Sequence, residues 1–415
     1  LPLPMTTSTR NHSLTGQGIG NLGVPESQGG VAEAILDLSS VPRELGRVEA
    51  VESGPTLICL GGLHGNEPAG VLAIDRVLKQ IYRRPSGLRG RMVGLAGNRR
   101  ALAAGCRFVN HDLNRAWKPG RVEQLTVLPG PLDDEDQELV ELSASLSRII
   151  DEAPGRIFLL DLHTISGPGP AFAILDDTLQ NREVALDFPV PLVLGLEEQL
   201  GGTLASYMTA RGATVVGFEA GLHDDPASVD RAAAAIWIAL DSSGVFEHES
   251  RPEVAAARDL LSRQADGSAR IVEVRYRHSV ADGDAFEMDP GFSGFQPIGA
   301  GQEVGSTRGG RVRAPRSGLL LMPRYQDQGN DGFFLADEVR PAWLRISAAV
   351  RRLGVDRFLH LLPGVERDPN RHQTFVVDRR FARWWARQLF HLLGFRREGR
   401  DGPRLIMTRR RDQLR

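Results

Sequence analysis

From about residue 31 to residue 265, short apolar runs alternate with stretches in which apolar residues recur every three or four positions. That alternation is the pattern of a mainly parallel sheet covered by helices on both faces, because each crossover between parallel strands needs a helix-length connection. The apolar runs predict strands at 56–60, 91–96, 157–162, 171–175, 191–196 and 214–220. Between them, Val71, Ile74, Leu78 and Ile81 share one face of a helix predicted over 68–82, with Pro68 suited to its first turn. Leu139, Leu142, Leu146 and Ile149 do the same for a helix predicted near 134–150.

The texture changes after about residue 266. Short apolar runs punctuated by glycine, at 269–278, 303–315 and 317–325, predict a small β domain. The final stretch changes again: Phe381, Trp385, Leu389 and Leu392 fall on one side of an amphipathic segment from Arg379 to Leu393, and a strand is predicted after it. Residues 1–30 are rich in Gly, Ser, Thr and Asn without periodicity, which predicts a flexible tail. Within it Gly18, Gly20 and Gly23 match the spacing of a dinucleotide-binding loop, but no strand precedes them and no helix pattern follows, as that reading requires. By pattern the chain therefore divides into a tail (1–30), an α/β domain (31–265), a small β domain (266–345) and a basic, aromatic α+β extension (346–415).

Composition narrows the class of partner. With 41% hydrophobic and 25% charged residues the chain has ordinary globular usage, and a formal charge of −2 provides no general attraction for nucleic acid or an acidic membrane. No stretch approaches eighteen uninterrupted apolar residues. The expected partner is a small molecule, with no nucleic acid and no membrane, and homo-oligomerisation left open. Two cysteines, Cys59 and Cys106, make no disulfide framework, and the start of the chain has no apolar run of the secretory type, so a cytoplasmic location is expected.

Chemistry concentrates where predicted strands end. In Leu60–Pro68 an apolar strand runs through two glycines into His64, Gly65, Asn66 and Glu67 and straight into a helix. Open α/β sheets place ligands beyond the carboxyl ends of their strands, so His64 and Glu67 are delivered to a crevice and not to a core. An imidazole and a carboxylate three residues apart can share one ion, and a catalytic zinc commonly takes two histidines, one carboxylate and an open position. His163, at the end of the 157–162 strand, supplies the third ligand, with Asp161 two residues earlier on the same face as an acceptor behind it. Glu219 ends another apolar strand, where a carboxylate has no structural reason to stand unless paired or working. Each of these residues alone reads as an ordinary hydrogen-bonded side chain, and their matching topological positions point instead to a site. The run Arg107 to Arg115, following Gly97 and Asn98 at a strand end, is dense in groups that recognise carboxylates and oxyanions.

With these residues in place, the chain resembles the succinylglutamate desuccinylase/aspartoacylase family, relatives of the zinc carboxypeptidases, from about Val31 to Val350. GGLHGNEPAG (61–70) resembles that family's first metal motif, RFVNHDLNR (107–115) its substrate motif, DLHTISG (161–167) its second metal motif and FEAG (218–221) its catalytic glutamate. The resemblance implies a carboxypeptidase-like α/β fold, one zinc ion per chain on His64, Glu67 and His163, and hydrolysis of a small N-acyl amino acid. It further implies that Arg107 polarises the scissile carbonyl, that Asn114 and Arg115 hold a substrate carboxylate, and that Glu219 is general base and then acid. Arg211 and Tyr325 are the nearest matches to a further substrate-binding arginine and to a tyrosine lent by the C-terminal β domain. Where aspartoacylase-like members carry Asn-Pro-Arg this chain has Asn98, Arg99 and Arg100, and residues beyond 350 find no counterpart.

Two other readings share these residues. A metallocarboxypeptidase would use the same constellation on short peptides, and a non-catalytic receptor could keep the metal and the carboxylate clamp. Binding alone has no need of Glu219. The pattern leaves open the acyl group, the amine, and zinc against another divalent ion, since histidine and carboxylate ligands admit several.

Overall fold

The computed structural model describes residues 36–51, 53–127, 130–247, 251–265, 270–281, 283–371, 373–378, 380, 386–401 and 404–409. The expected tail (1–30) and the amphipathic positions Phe381 and Trp385 lie outside the described residues. The strands are β1 (Glu44–Glu49), β2 (Thr56–Gly61), β3 (Arg91–Ala96), β4 (Ile157–Ile165), β5 (Phe172–Ile174), β6 (Leu192–Leu194), β7 (Thr214–Leu222), β8 (Ile271–Ser279), β9 (Glu287–Met288), β10 (Pro297–Ile298), β11 (Glu303–Thr307), β12 (Gly310–Arg313), β13 (Gly318–Leu321), β14 (Asp331–Glu338), β15 (Val365–Arg367), β16 (Thr374–Asp378), β17 (Phe395–Asp401) and β18 (Arg404–Arg409). The α-helices are α1 (Ala69–Arg83), α2 (Arg99–Ala104), α3 (Arg121–Val127), α4 (Asp134–Glu152), α5 (Leu179–Ala185), α6 (Leu204–Ala210), α7 (Ala227–Ser242), α8 (Pro252–Gln264), α9 (Pro341–Arg352) and α10 (Ala386–Leu392).

One mixed sheet runs β1-β3-β2-β4-β7-β5-β6-β8-β14-β13-β10. Its central strands β3, β2, β4 and β7 are parallel, while β1, and the pairs from β8 to β10, are antiparallel. Successive strand residues point to opposite faces, and the apolar clusters follow that alternation. Leu160, Leu162, Val216 and Phe218 pack with α1 and α7 on one face, and Leu159 and Val215 with α4 and α6 on the other. This is the expected α/β architecture with helices on both faces, since a sheet buried on both sides must be apolar on both. The helix predicted over 68–82 begins one residue later, because Pro68 takes the N-cap position. Its buried side chains include the predicted Val71, Ile74, Leu78 and Ile81.

Beyond residue 266 the chain adds strands to the same sheet through β8 and β14 and forms a separate three-stranded sheet, β12-β11-β9. The extension adds a four-stranded antiparallel sheet, β15-β16-β18-β17, cored by Phe375, Phe390 and Phe395 in edge-to-face contacts. A network of buried charges ties it down. Asp177, just before α5, accepts from Arg182, Arg351 and Arg396, and Glu273 on β8 accepts from Arg396 and from His391. Three guanidiniums around one carboxylate outweigh the penalty of burial and hold Asp177 well below the usual carboxylate range.

Candidate active site

The carboxyl ends of β2, β4 and β7 are neighbours in the sheet, and the residues singled out above converge there. After β2 the chain turns through Gly62 at φ 70°, a conformation an L side chain adopts only with strain. Gly65 packs so closely on the turn of α2 that a Cβ would lie 2.0 Å from the carbonyl carbon of Ala101. These glycines press His64 and Glu67 into the crevice, where they are 4% and 2% exposed.

Glu67 sits between the two imidazoles. Its Oε1 is 2.9 Å from Nδ1 of His64 and its Oε2 is 3.0 Å from Nδ1 of His163, and the backbone N–H of Thr164 also donates to Oε2. The far nitrogens face acids: Nε2 of His64 is 3.2 Å from Asp112 Oδ1, and Nε2 of His163 is 3.2 Å from Asp161 Oδ1. Such carboxylates fix ring orientation and leave Nδ1 of each ring to face an ion. The two ring centroids are 5.2 Å apart, within reach of a single cation; a separation beyond about 10 Å would have ruled sharing out. One donor atom from each of His64, Glu67 and His163 lies within 4.8 Å of the others. Burial works against the charge on Glu67, but His64 and His163 together hold its carboxyl well below its usual range. Burial likewise opposes charge on His163, yet Asp161 and Glu67 raise its imidazole well above the ordinary value. Two neutral imidazoles and a carboxylate with this spacing fit a divalent cation, which would take the place of the protons now shared among them.

Glu219 stands beside His163 as its partner across β4 and β7. Its Oε2 is buried without a hydrogen-bond partner among the described residues. Burial pushes its carboxyl up to about 8, with His163 and Arg107 pulling down and Glu67 and Asp161 adding to the rise. Arg107 reaches the same centre: one guanidinium nitrogen lies 3.2 Å from Glu67 Oε1 and another 3.2 Å from Asp112 Oδ2.

A cavity of about 150 Å³ opens onto these groups, with Asn114 and Arg115 also in its lining. Arg115 is paired with Asp331 at 2.8 Å, and Asn114 Oδ1 accepts from the backbone N–H of Leu204 at 3.0 Å. Arg211 and Tyr325, also expected to touch substrate, lie outside this lining. Arg211 lies over the Tyr207 ring at 3.5 Å from its centroid and is 3.6 Å from Glu123, because its position at the end of α6 turns it outward. The Tyr325 hydroxyl donates to the Asp289 carbonyl and accepts from the Phe292 N–H, so the ring is held away, and the neighbouring Gln326 lines the cavity. Gln326 Oε1 accepts from Asn66 Nδ2 and from His223 Nε2, and Gln328 Oε1 accepts from the Arg107 backbone N–H. Asp112 sits inside the substrate motif with no role assigned from sequence; Asp331 and Gln326 had no local signal, since their partners Arg115, Arg277, Asn66 and His223 are all distant in sequence.

Residues 53–231 match the profile of the succinylglutamate desuccinylase/aspartoacylase catalytic domain. Through this stretch the chain is similar to the succinylglutamate desuccinylase/aspartoacylase family. A succinylglutamate desuccinylase from Pseudomonas fluorescens (strain Pf0-1) is 36% identical over 127 residues, which is 31% of this chain and 36% of that protein. Another from Pseudomonas fluorescens strain Pf-5 is 40% identical over 86 residues, 21% of this chain and 25% of that protein. The matches thus span well under half the length of these relatives. Among solved structures, a succinylglutamate desuccinylase/aspartoacylase from Rhodobacter sphaeroides aligns over 72% of this chain and 88% of its own, at TM-score 0.52 and 20% identity. A succinylglutamate desuccinylase from Silicibacter sp. TM1040 aligns over 71% and 88% at TM-score 0.50 and 17% identity. At those identities the two structures establish the family's fold for this chain. No helix among the described residues is long and apolar enough to cross a membrane.

Proposed function

We propose that this protein is a zinc-dependent amidohydrolase that cleaves the amide bond of a small N-acyl amino acid. The observation that carries the reading is the donor set of His64, Glu67 and His163 within 4.8 Å, beside a buried Glu219 oxygen that has no partner among the described residues. Two histidines and a glutamate are a ligand set of catalytic zinc, and one ion per chain is expected on them. A cation bound there supplies Lewis acidity to a carbonyl oxygen and to a water molecule.

The side chains divide the remaining work. Glu219 takes a proton from the attacking water and returns it to the departing amine, so one carboxyl serves as base and then acid. Arg107 aims positive charge at the carbonyl oxygen as it becomes an oxyanion, exchanging its contact with Glu67 for the developing charge. Asn114 and Arg115 meet a substrate carboxylate, Arg115 giving up Asp331 in exchange. Residues 266–345 act as the unit that narrows the mouth: Gln326 and Gln328 tie the segment after β13 to Asn66, His223, Arg107 and Phe108. That covering favours small N-acyl substrates over the longer peptides of a carboxypeptidase.

The test is a hydrolysis screen of N-acetyl, N-succinyl and longer N-acyl amino acids against dipeptides and tetrapeptides, with E219Q as control. Release of free amino acid from the N-acyl compounds, lost in E219Q, is expected. Faster cleavage of tetrapeptides would move the protein to the carboxypeptidases, and tight binding without turnover would make it a receptor.

A further inference from the structure

On β7 the residues Val215, Gly217 and Glu219 project from one face, and all three line the cavity. Glu219 marks the metal end. Val215 lies about 13 Å away along the strand, four residues at roughly 3.3 Å each. Gly217 stands between them with no side chain, flanked in the sheet by Asp161 on β4 and Ile174 on β5. Away from the metal ligands the lining includes the apolar side chains of Ile174, Leu196, Leu200, Val215 and Phe334, with Asp176 and Glu197 among them.

The charges around the cavity oppose a further anion. Apart from the metal site, its lining holds the acids Asp176, Glu197 and Asp331 against the guanidiniums of Arg115 and Arg324. Each guanidinium is engaged: Arg107 with Glu67 and Asp112, Arg115 with Asp331, and Arg324 with the carbonyls of Gly329 and Phe286. Exchange at Arg115 can accommodate one substrate carboxylate, and a second would share the cavity with the acids Asp176 and Glu197.

We infer that the cavity continues past the metal site as an apolar slot that selects substrates carrying an aliphatic or aromatic group, not a second carboxylate, with Gly217 as the residue that keeps the slot open. The inference rests on the amidohydrolase reading for the position of the scissile bond. The group can enter on the acyl or the amine side, and the shared requirement is that it be apolar.

Gly217 makes the idea testable, because its backbone is ordinary and a Cβ there would only touch Ile174, at 3.5 Å from Cβ and 3.6 Å from O. Wild type and G217V are compared on two series: N-acetyl-, N-butanoyl- and N-hexanoylglycine for the acyl side, and N-acetyl derivatives of glycine, 2-aminobutyrate and norvaline for the amine side. N-succinylglycine and N-acetylaspartate serve as the dicarboxylic counterparts. In one series kcat/KM is expected to rise by about fourfold per buried methylene, and G217V to flatten that rise. The inference is overturned if the dicarboxylic compounds are preferred by tenfold or more, on the order of a mismatched pocket, or if both series are flat. A rise that survives G217V overturns the role of Gly217. If nothing is hydrolysed, thermal stabilisation by butanoate, hexanoate and succinate separates the two claims: a chain-length effect lost in G217V keeps the slot and removes the hydrolase, and no such effect removes the slot.

Discussion

Glu219 carries the most demanding combination in the site, a buried acid that must gain and lose a proton beside a cation. Replacing it by glutamine keeps shape and removes the base, so a loss of kcat of about 10²- to 10⁴-fold with unchanged metal content is expected from steady-state kinetics and metal analysis. As base it works only when ionised. Its folded pKa is raised by burial, toward about 8 in the ion-free protein, and a bound cation draws it back down. The acid limb of kcat/KM should therefore lie below the ion-free value of about 8, with activity falling as pH drops through it. The same shift governs stability with the opposite consequence. A carboxyl whose folded pKa exceeds its unfolded value costs stability progressively as pH rises from the unfolded value to the folded one. E219Q should then stabilise the ion-free protein at pH 8 and leave it unchanged near pH 4, read from denaturation midpoints. At this scale the sequence was informative where chemistry and location coincide: His64, Glu67, His163 and Glu219 follow apolar strands, and their matching positions singled them out together. Arg211 and Tyr325 could not be placed, because a side chain's direction at a helix end or in a loop depends on neighbours such as Tyr207 and Asp289 that periodicity does not supply.

Among elements, the turn from β2 into α1 does most to build the centre. It brings an imidazole and a carboxylate onto one side by letting the backbone pass within contact of α2 at Gly65. Gly65→Ala has no space to relax into, since the opposing atoms are backbone, and should cost about 1–3 kcal/mol in chemical denaturation together with weaker metal retention. Strand alternation then sets which side chains share the cavity: Asp161, His163 and Ile165 from β4, and Val215, Gly217 and Glu219 from β7. The parallel strands were legible because strands buried on both faces are continuous apolar runs. The antiparallel edge strand β1 was not, since its sequence ELGRVE is only half-buried and carries three charged residues.

Across the whole molecule, the extension is joined to the α/β unit by buried charge. Asp177→Asn would leave Arg182, Arg351 and Arg396 facing an uncharged group, and should destabilise by about 3–5 kcal/mol, with faster hydrogen exchange in β17 and β18. Because the folded pKa of Asp177 is depressed, its stabilisation is present above the unfolded value near 4 and is lost as pH falls through the folded one. The deficit of the variant should accordingly be constant from pH 8 to pH 5 and shrink in stronger acid. None of this coupling could be read from sequence, for Asp177 and Arg396 are 219 residues apart and neither sits in a motif. The claim underlying the account is that His64, Glu67 and His163 together hold one divalent cation. Elemental analysis of the purified protein, wild type against the double variant His64→Ala/His163→Ala with folding verified by circular dichroism, tests it most directly. Close to one equivalent of zinc per chain in the wild type, falling to background in the folded variant, is the predicted result; a folded wild type without stoichiometric metal, or a variant that retains it, would contradict the account.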